Sequence, residues 1–296
     1  MNLGFNLFFA GSQNKLAEAY LMNNNCNRLL SYWSDKSIIT KWVEFKKENP
    51  NCDNLLFIDC GAYTAFTQGI TIDIDTYVNY INNIIDYVDI VASLDVIGDG
   101  VTPNTDEKTY ENYLYLKEHI KDKHKLLPTF HQGDRQDYLI KYLTDYDIDY
   151  IALGGLVGSP KQDLCNFFDS CYTVIKEIRP NIKVHAFGMT SKPILRKYPF
   201  NSADSTGWIM TAANGCIMSD WGILNVSDKQ KKDSDNFYNQ PLSVQQKITE
   251  YVQKLGFTME EISSDYKPRT LVNIMYLKSF QDNHTPKLRN LNKKLF

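Results

Sequence analysis

LLFIDCGAYTAF, residues 55–66, is the stretch on which the fold turns. Leu55 to Ile58 are four consecutive apolar residues, the pattern of a short strand buried on both faces. Asp59 then ends the run, and Cys60, Gly61 and Ala62 after it are all small. A carboxylate is costly in an apolar interior, so it belongs where that interior opens onto a polar cavity. Small residues beside it leave room for a flat ligand to approach the backbone.

The same device repeats along the chain. Short apolar runs occur at NLFFAG (6–11), LLFIDCG (55–61), DIVASLD (89–95), KLLPTFHQG (125–133), YIALGG (150–155), KVHAFGM (183–189) and FNSADSTG (200–207). GCIMSDWG (215–222) is either an eighth strand or, with ILNV after the Asp220-Trp221-Gly222 turn, one arm of a hairpin. Between the runs lie amphipathic stretches such as KLAEAYLMN, KSIITKWVEFKKE and KQDLCNFFDSCYTVIKEIR, whose apolar residues recur at three and four. Strands alternating with helices predict a parallel sheet, and seven or eight units in this length predict a (β/α)8 TIM barrel. We place the barrel in residues 1–241 and a basic helical C-terminal extension, with no zinc subdomain, in 242–296.

In such barrels chemistry sits at the C-terminal strand ends. Asp59 closes the second predicted strand, Asp95 closes ASLD, Gln132 closes TFHQG, Gly154 and Gly155 close IALGG, and Asp204 closes NSAD. Three carboxylates and an amide at one end of four strands make a candidate site. Asp73, Asp75 and Asp99 read instead as helix caps or turn residues.

Composition narrows the classes. The chain has 296 residues, of which 43% are hydrophobic, enough for a sizeable core. No apolar run approaches the ~18 residues needed to span a bilayer, and MNLGFNLFFAGSQNK lacks a basic leader, so a cytoplasmic protein without membrane partners is expected. The six cysteines form no C-x-x-C pair, which predicts reduced thiols, no metal and no cofactor. The net charge of −3 is uneven: from Lys267 onward seven basic residues face one acid, giving the tail +6 and the rest −9. A basic tail on an acidic body can hold an anionic polymer or be a solvated end.

Paired carboxylates suit attack at a glycosidic bond, one as nucleophile and the other as proton donor and acceptor. Two inversions would retain the anomer, as exchange of one base for another on a sugar requires. A third carboxylate could accept the adjacent N1–H and 2-amino donors of guanine.

IDCGAYTAF, SLDVIGDG, TFHQG, ALGGLVG, HAFGM and NSADSTGW, in this order, resemble the barrel motifs of the tRNA-guanine transglycosylase superfamily across roughly residues 55–226. The resemblance implies that Asp204 is the nucleophile and Asp59 the general acid/base. It implies that Asp95, Gln132, Gly154, Gly155 and Leu156 hold a guanine or 7-deazaguanine base. His185 falls near the position of an apolar residue that stacks on the base, while Tyr63, Phe66 and Phe187 are either stacking or packing aromatics.

The family's zinc subdomain has no counterpart, since no cysteine follows Cys216. The resemblance therefore implies the DNA-acting branch, which exchanges guanine in DNA for a 7-deazaguanine such as preQ0 and shields phage genomes from restriction. Lys287, Arg289, Lys293 and Lys294 would then contact DNA phosphates around a flipped-out or single-stranded guanosine. A tRNA-acting enzyme with a reduced C-terminus, a non-catalytic partner subunit and an unrelated barrel hydrolase of sugars are the alternatives.

Overall fold

The parallel strands that carry the fold are β1 (Asn6–Phe9), β2 (Asn27–Ser31), β3 (Leu56–Asp59), β4 (Ile90–Ala92), β5 (Leu126–Leu127), β6 (Thr129–His131), β7 (Tyr150–Gly154), β8 (Lys183–Ala186) and β9 (Ser202–Ser205). They are seen in a computed structural model that describes residues 4–11, 14–98, 103–156 and 158–284. Their order is β5-β4-β3-β2-β1-β9-β8-β7-β6. The two ends of that list are one stretch of chain, interrupted at Pro128, which has no N–H to give to a ladder.

The stretch pairs on both sides. Ser93 N–H donates to Leu127 O at 2.9 Å, and Ala152 N–H donates to Pro128 O at 2.8 Å. Counted as one strand, 126–131 closes an eight-stranded parallel barrel. The expected (β/α)8 class is the observed one.

The eighth strand is β2, which the sequence pattern does not announce. Asn27 and Arg28 interrupt its apolar character, so Asp59 ends the third strand and not the second. Residues 216–225 form the hairpin alternative: β10 (Cys216–Ser219) pairs antiparallel with β11 (Gly222–Asn225), outside the barrel sheet.

Around the barrel run α2 (Lys36–Glu48), α3 (Ala62–Thr67), α4 (Ile74–Ile84), α5 (Thr105–His119), α6 (Gln136–Thr144), α7 (Lys161–Ile178) and α8 (Lys192–Lys197). In α7, Leu164, Phe168, Cys171, Val174 and Ile175 are buried, the one-sided stripe that seats a helix on a sheet. Asp73 caps α4, accepting from Thr76 N at 2.8 Å.

Two compact units divide the chain. One comprises Asn27–Asp204 with the start of β1, and the other Phe9–Cys26 with Ser205–His284. The second unit therefore takes in residues on both sides of position 242, where the extension was expected to begin. It contains α1 (Lys15–Asn23), α9 (Gly207–Ala213), the hairpin, α10 (Leu242–Lys254), α11 (Met259–Ser264) and α12 (Tyr266–Asn283).

The core of the second unit gathers Ile217, Val226, Phe237, Ile248, Val252, Ile262 and Val272. The buried Arg269 guanidinium donates to the carbonyls of Ala212, Ile262 and Ser263, all near helix ends that lack intrahelical partners. Among the described residues no helix is long and apolar enough to cross a membrane.

Candidate active site

The barrel interior can be assigned from register. Neighbours paired in a parallel ladder point to the same face, and alternate residues along a strand to opposite faces. Phe57 of β3 and His185 of β8 lie on strands that are not neighbours, yet their rings stand edge to face with centroids 5.1 Å apart. That contact crosses the interior. From Phe57 the pairs Leu29↔Phe57 and Ser31↔Asp59 turn Leu29, Ser31 and Asp59 inward. From His185 the pairs Ala152↔His185, Thr129↔Ala152, His131↔Gly154 and His185↔Ser202 do the same for Thr129, His131 and Ser202. Asp204, two residues past Ser202, follows.

The C-terminal mouth therefore collects Asp59, Asp95, His131 and Asp204 from strands far apart in sequence. Asp59 is pushed up to about 7, first by burial and then by the charges of Asp95 and Asp204; hydrogen bonds from the Gly61 and Cys60 amides oppose this. Its Oδ2 accepts from Gly61 N–H at 3.0 Å. Proximity of three carboxylates keeps one of them protonated near neutrality.

Beside them stands an ion-paired histidine. His131 Nε2 lies 3.3 Å from Asp95 Oδ2, and Nδ1 lies 3.4 Å from Asp134 Oδ2. The His131 amide donates to that same Asp134 oxygen at 2.7 Å, which holds Asp134 beside Nδ1. Burial alone would lower the His131 pKa, but Asp95 and Asp134 outweigh it and raise the value to about 10. The ring is thus an imidazolium at neutral pH. Among the described residues Asp95 Oδ1 is buried without a hydrogen-bond partner, as are Ser31 Oγ and Thr129 Oγ1. Buried polar atoms of this kind are ordinarily satisfied by ordered water or a bound group.

The other expected residues separate into those at the mouth and those that pack. Gln132 sits just past β6, its Oε1 accepting from Ser159 Oγ at 2.8 Å. Leu156 is buried. Gly155 is exposed with φ +73, a conformation that favours glycine.

The glycines have a different purpose from the one expected. A Cβ on Gly154 would lie 2.8 Å from Thr129 Cγ2 and 2.9 Å from His131 Cδ2, so its space is taken by neighbouring side chains and not by a ligand. Gly61, at φ +76, likewise makes room for Ser31 Oγ and Trp33 Cβ, which a Cβ would meet at 2.3 and 2.6 Å.

His185 does not face a ligand. It is 0% exposed, with the rings of Phe8, Phe57 and Phe187 at 6.0, 5.1 and 4.6 Å. Its Nε2 lies 3.2 Å from Asp204 Oδ1, and Gly188 N–H donates to the same oxygen at 2.8 Å. Tyr63 and Phe66 are 68% and 40% exposed and so are not core packing, whereas Phe187 is half-buried. Lys287, Arg289, Lys293 and Lys294 lie outside the described residues, as does Asp99.

Sequence reasoning missed His131, Asp134 and Ser202. A signal for each was present: His131 alternates with Thr129 on one strand face, Asp134 follows it at three residues, and Ser202 shares the face of Asp204. Among the described residues no group of three or more His, Cys, Asp or Glu side chains is arranged to hold a metal ion.

No protein-family model matches the chain, and no curated protein matches it. Among solved structures, a crystal structure assigned as a fructose-1,6-bisphosphate aldolase from Coccidioides immitis aligns over 95% of this chain and 92% of that one, with a TM-score of 0.52 and 7% identity. The likeness is to an aldolase barrel and not to the transglycosylase superfamily. It overturns the resemblance read from IDCGAYTAF to NSADSTGW, and the exchange of guanine in DNA inferred from those motifs falls with it. The physical reason is that an apolar strand closing in Asp and small residues is what many parallel barrels write where their interior opens. At 7% identity the comparison speaks to architecture alone, and what it establishes is that the chain folds as a (β/α)8 barrel of the kind that aldolase displays.

Proposed function

We propose that this barrel is an enzyme that cleaves a glycosidic bond in a small substrate carrying no negative charge. The observation that carries the reading is the asymmetry between two aspartates at one mouth. Burial, Asp95 and Asp204 raise Asp59 to about 7, so it can hold a proton near neutrality. Asp204 has one carboxylate oxygen held by Gly188 N–H and His185, and its second oxygen has no partner among the described residues.

A carboxyl able to hold a proton, facing a second carboxyl across the mouth, is the pair that glycoside cleavage uses. Asp59 would give its proton to the leaving group as the bond to the anomeric carbon breaks. Asp204 would stabilise or attack that carbon, and water would replace the departed group. Asp95 Oδ1 and Ser31 Oγ, at the level of Asp59, would be hydrogen-bonding positions for hydroxyls. The aspartates disfavour phosphorylated ligands electrostatically. For this reason the aldolase activity in the neighbour's name does not suit this mouth.

The test is a panel of neutral, cationic and phosphorylated O- and N-glycosides assayed with the full chain and with Asp59→Asn and Asp204→Asn. Turnover of a neutral or cationic member is expected, with large loss in both variants. The Asp59→Asn loss should shrink for leaving groups that depart without protonation. Activity confined to phosphorylated members, or full activity in both variants, would overturn the reading.

A further inference from the structure

Asp204 is the last member of a hydrogen-bonded chain that runs through the barrel core. The Tyr150 hydroxyl meets Ser202 Oγ, and Ser202 Oγ meets His185 Nδ1. His185 Nε2 then meets Asp204 Oδ1 at 3.2 Å. Ser202 and His185 are both 0% exposed, and three aromatic rings surround the imidazole. A polar thread through an apolar core is costly unless every member is satisfied.

One arrangement of hydrogens satisfies them all. Asp204 Oδ1 already accepts the Gly188 N–H, so it is an acceptor and His185 Nε2 donates to it. In a neutral ring with its proton there, Nδ1 accepts, Ser202 donates to it, and Tyr150 donates to Ser202. The Tyr150 phenol is held above its ordinary pKa by burial, so it remains a donor.

From this chain, and resting on the reading that Asp204 acts on substrate, we propose that His185 is a positioning residue whose Nε2–H, with the Gly188 amide, pins Asp204 Oδ1 and turns Oδ2 toward the mouth. Ser202 and Tyr150 set which ring nitrogen carries the proton. His185 touches no substrate. Its contribution is the fixed aim of one carboxylate oxygen, which an off-angle rotamer would lose.

Two substitutions separate positioning from packing. His185→Gln can keep an N–H donor toward Asp204, whereas His185→Phe keeps ring volume and removes the donor. On a glycoside turned over by the wild type, His185→Phe should lower kcat about 10- to 100-fold, the usual effect of deleting a hydrogen bond to a charged group, with KM nearly unchanged. His185→Gln should recover most of that loss. Equal kcat in the two variants, or a loss confined to KM, would overturn the proposal.

A second measurement needs no substrate and no mutant of the histidine. Nitrogen-15 NMR of the histidine-labelled full chain should show His185 protonated on Nε2 and unprotonated on Nδ1, with that preference lost in Ser202→Ala. If the spectrum agrees and no glycoside is turned over, the proposed function fails while the Asp204 anchor stands. If the wild-type ring carries its proton on Nδ1, the anchor fails whatever the activity.

Discussion

Asp59→Asn should make this protein more stable at mildly alkaline pH and leave it unchanged in acid. Asp59 rises from an ordinary 3.8 to about 7 on folding because burial, Asp95 and Asp204 all penalise its charge. The sign is the reverse of the usual aspartate. Between those two values the folded state keeps a proton that the unfolded chain has already released, so stability falls as pH rises through the window.

Above about pH 7 the full penalty applies, on the order of 4 kcal/mol from the size of the displacement. Residual solvent contact of Asp59 reduces this, so a gain of about 2–4 kcal/mol is expected for the variant near pH 8.5. Asparagine is never charged, and its carbonyl can still accept from Gly61 N–H as Asp59 Oδ2 does at 3.0 Å. Below about pH 4 the two side chains are both neutral and the difference should vanish.

The assay is urea denaturation at several pH values, with the midpoint and slope fitted separately. Any gain would come with lost activity, the exchange seen when a strained functional group is neutralised. A stability difference that is the same near pH 4 and pH 8.5, or a variant less stable than wild type at the higher pH, would refute the account of Asp59.

Two further outcomes follow from the mouth. His131, raised to about 10 by Asp95 and Asp134 against the effect of burial, should show imidazolium NMR shifts well into the alkaline range. Because its folded value is raised, its stabilisation is complete below the ordinary histidine range and fades as pH climbs through about 10. Asp134→Asn should bring its titration down, and a wild-type midpoint near the ordinary value would remove the ion pair from the site. Gly154→Ala should destabilise by about 1–3 kcal/mol through overpacking in urea melts, because its Cβ would press on Thr129 Cγ2 at 2.8 Å. Thr129→Ser, which deletes that methyl, should recover part of the loss; no recovery would show the crowding lies elsewhere.

Burial pattern was legible where the chain repeats it. Apolar runs closing in Asp or Gly marked seven of the eight barrel strands, and three-and-four spacing marked α1 and α2 at the bounds observed, Lys15–Asn23 and Lys36–Glu48. These features are local: a strand or helix face is written within a dozen residues by what it must hide. The strand at Asn27–Ser31 escaped because it spans five residues and begins with Asn27 and Arg28, too short and too polar for a run to stand out. The short helices α3, α8 and α9, of six, six and seven residues, escaped for the same reason.

The meaning of the strand ends was another matter. LLFIDCG announced that Asp59 stands where the interior opens, but not that Gly61 yields its space to Ser31 and Trp33. HAFGM and NSAD looked like pieces of a ligand site, yet His185 lies in the core and reaches Asp204 from beneath. Small and acidic residues after a buried strand record only that a parallel barrel ends there, and so the motifs suggested a family that the fold comparison does not support. The protonation of Asp59, the charge of His131 and the aim of Asp204 depend on ångström distances, most of them between residues sixteen to more than a hundred positions apart. Coulombic and hydrogen-bond energies exist only once barrel closure has set those distances, which is why the sequence alone could name the carboxylates but not divide the work among them.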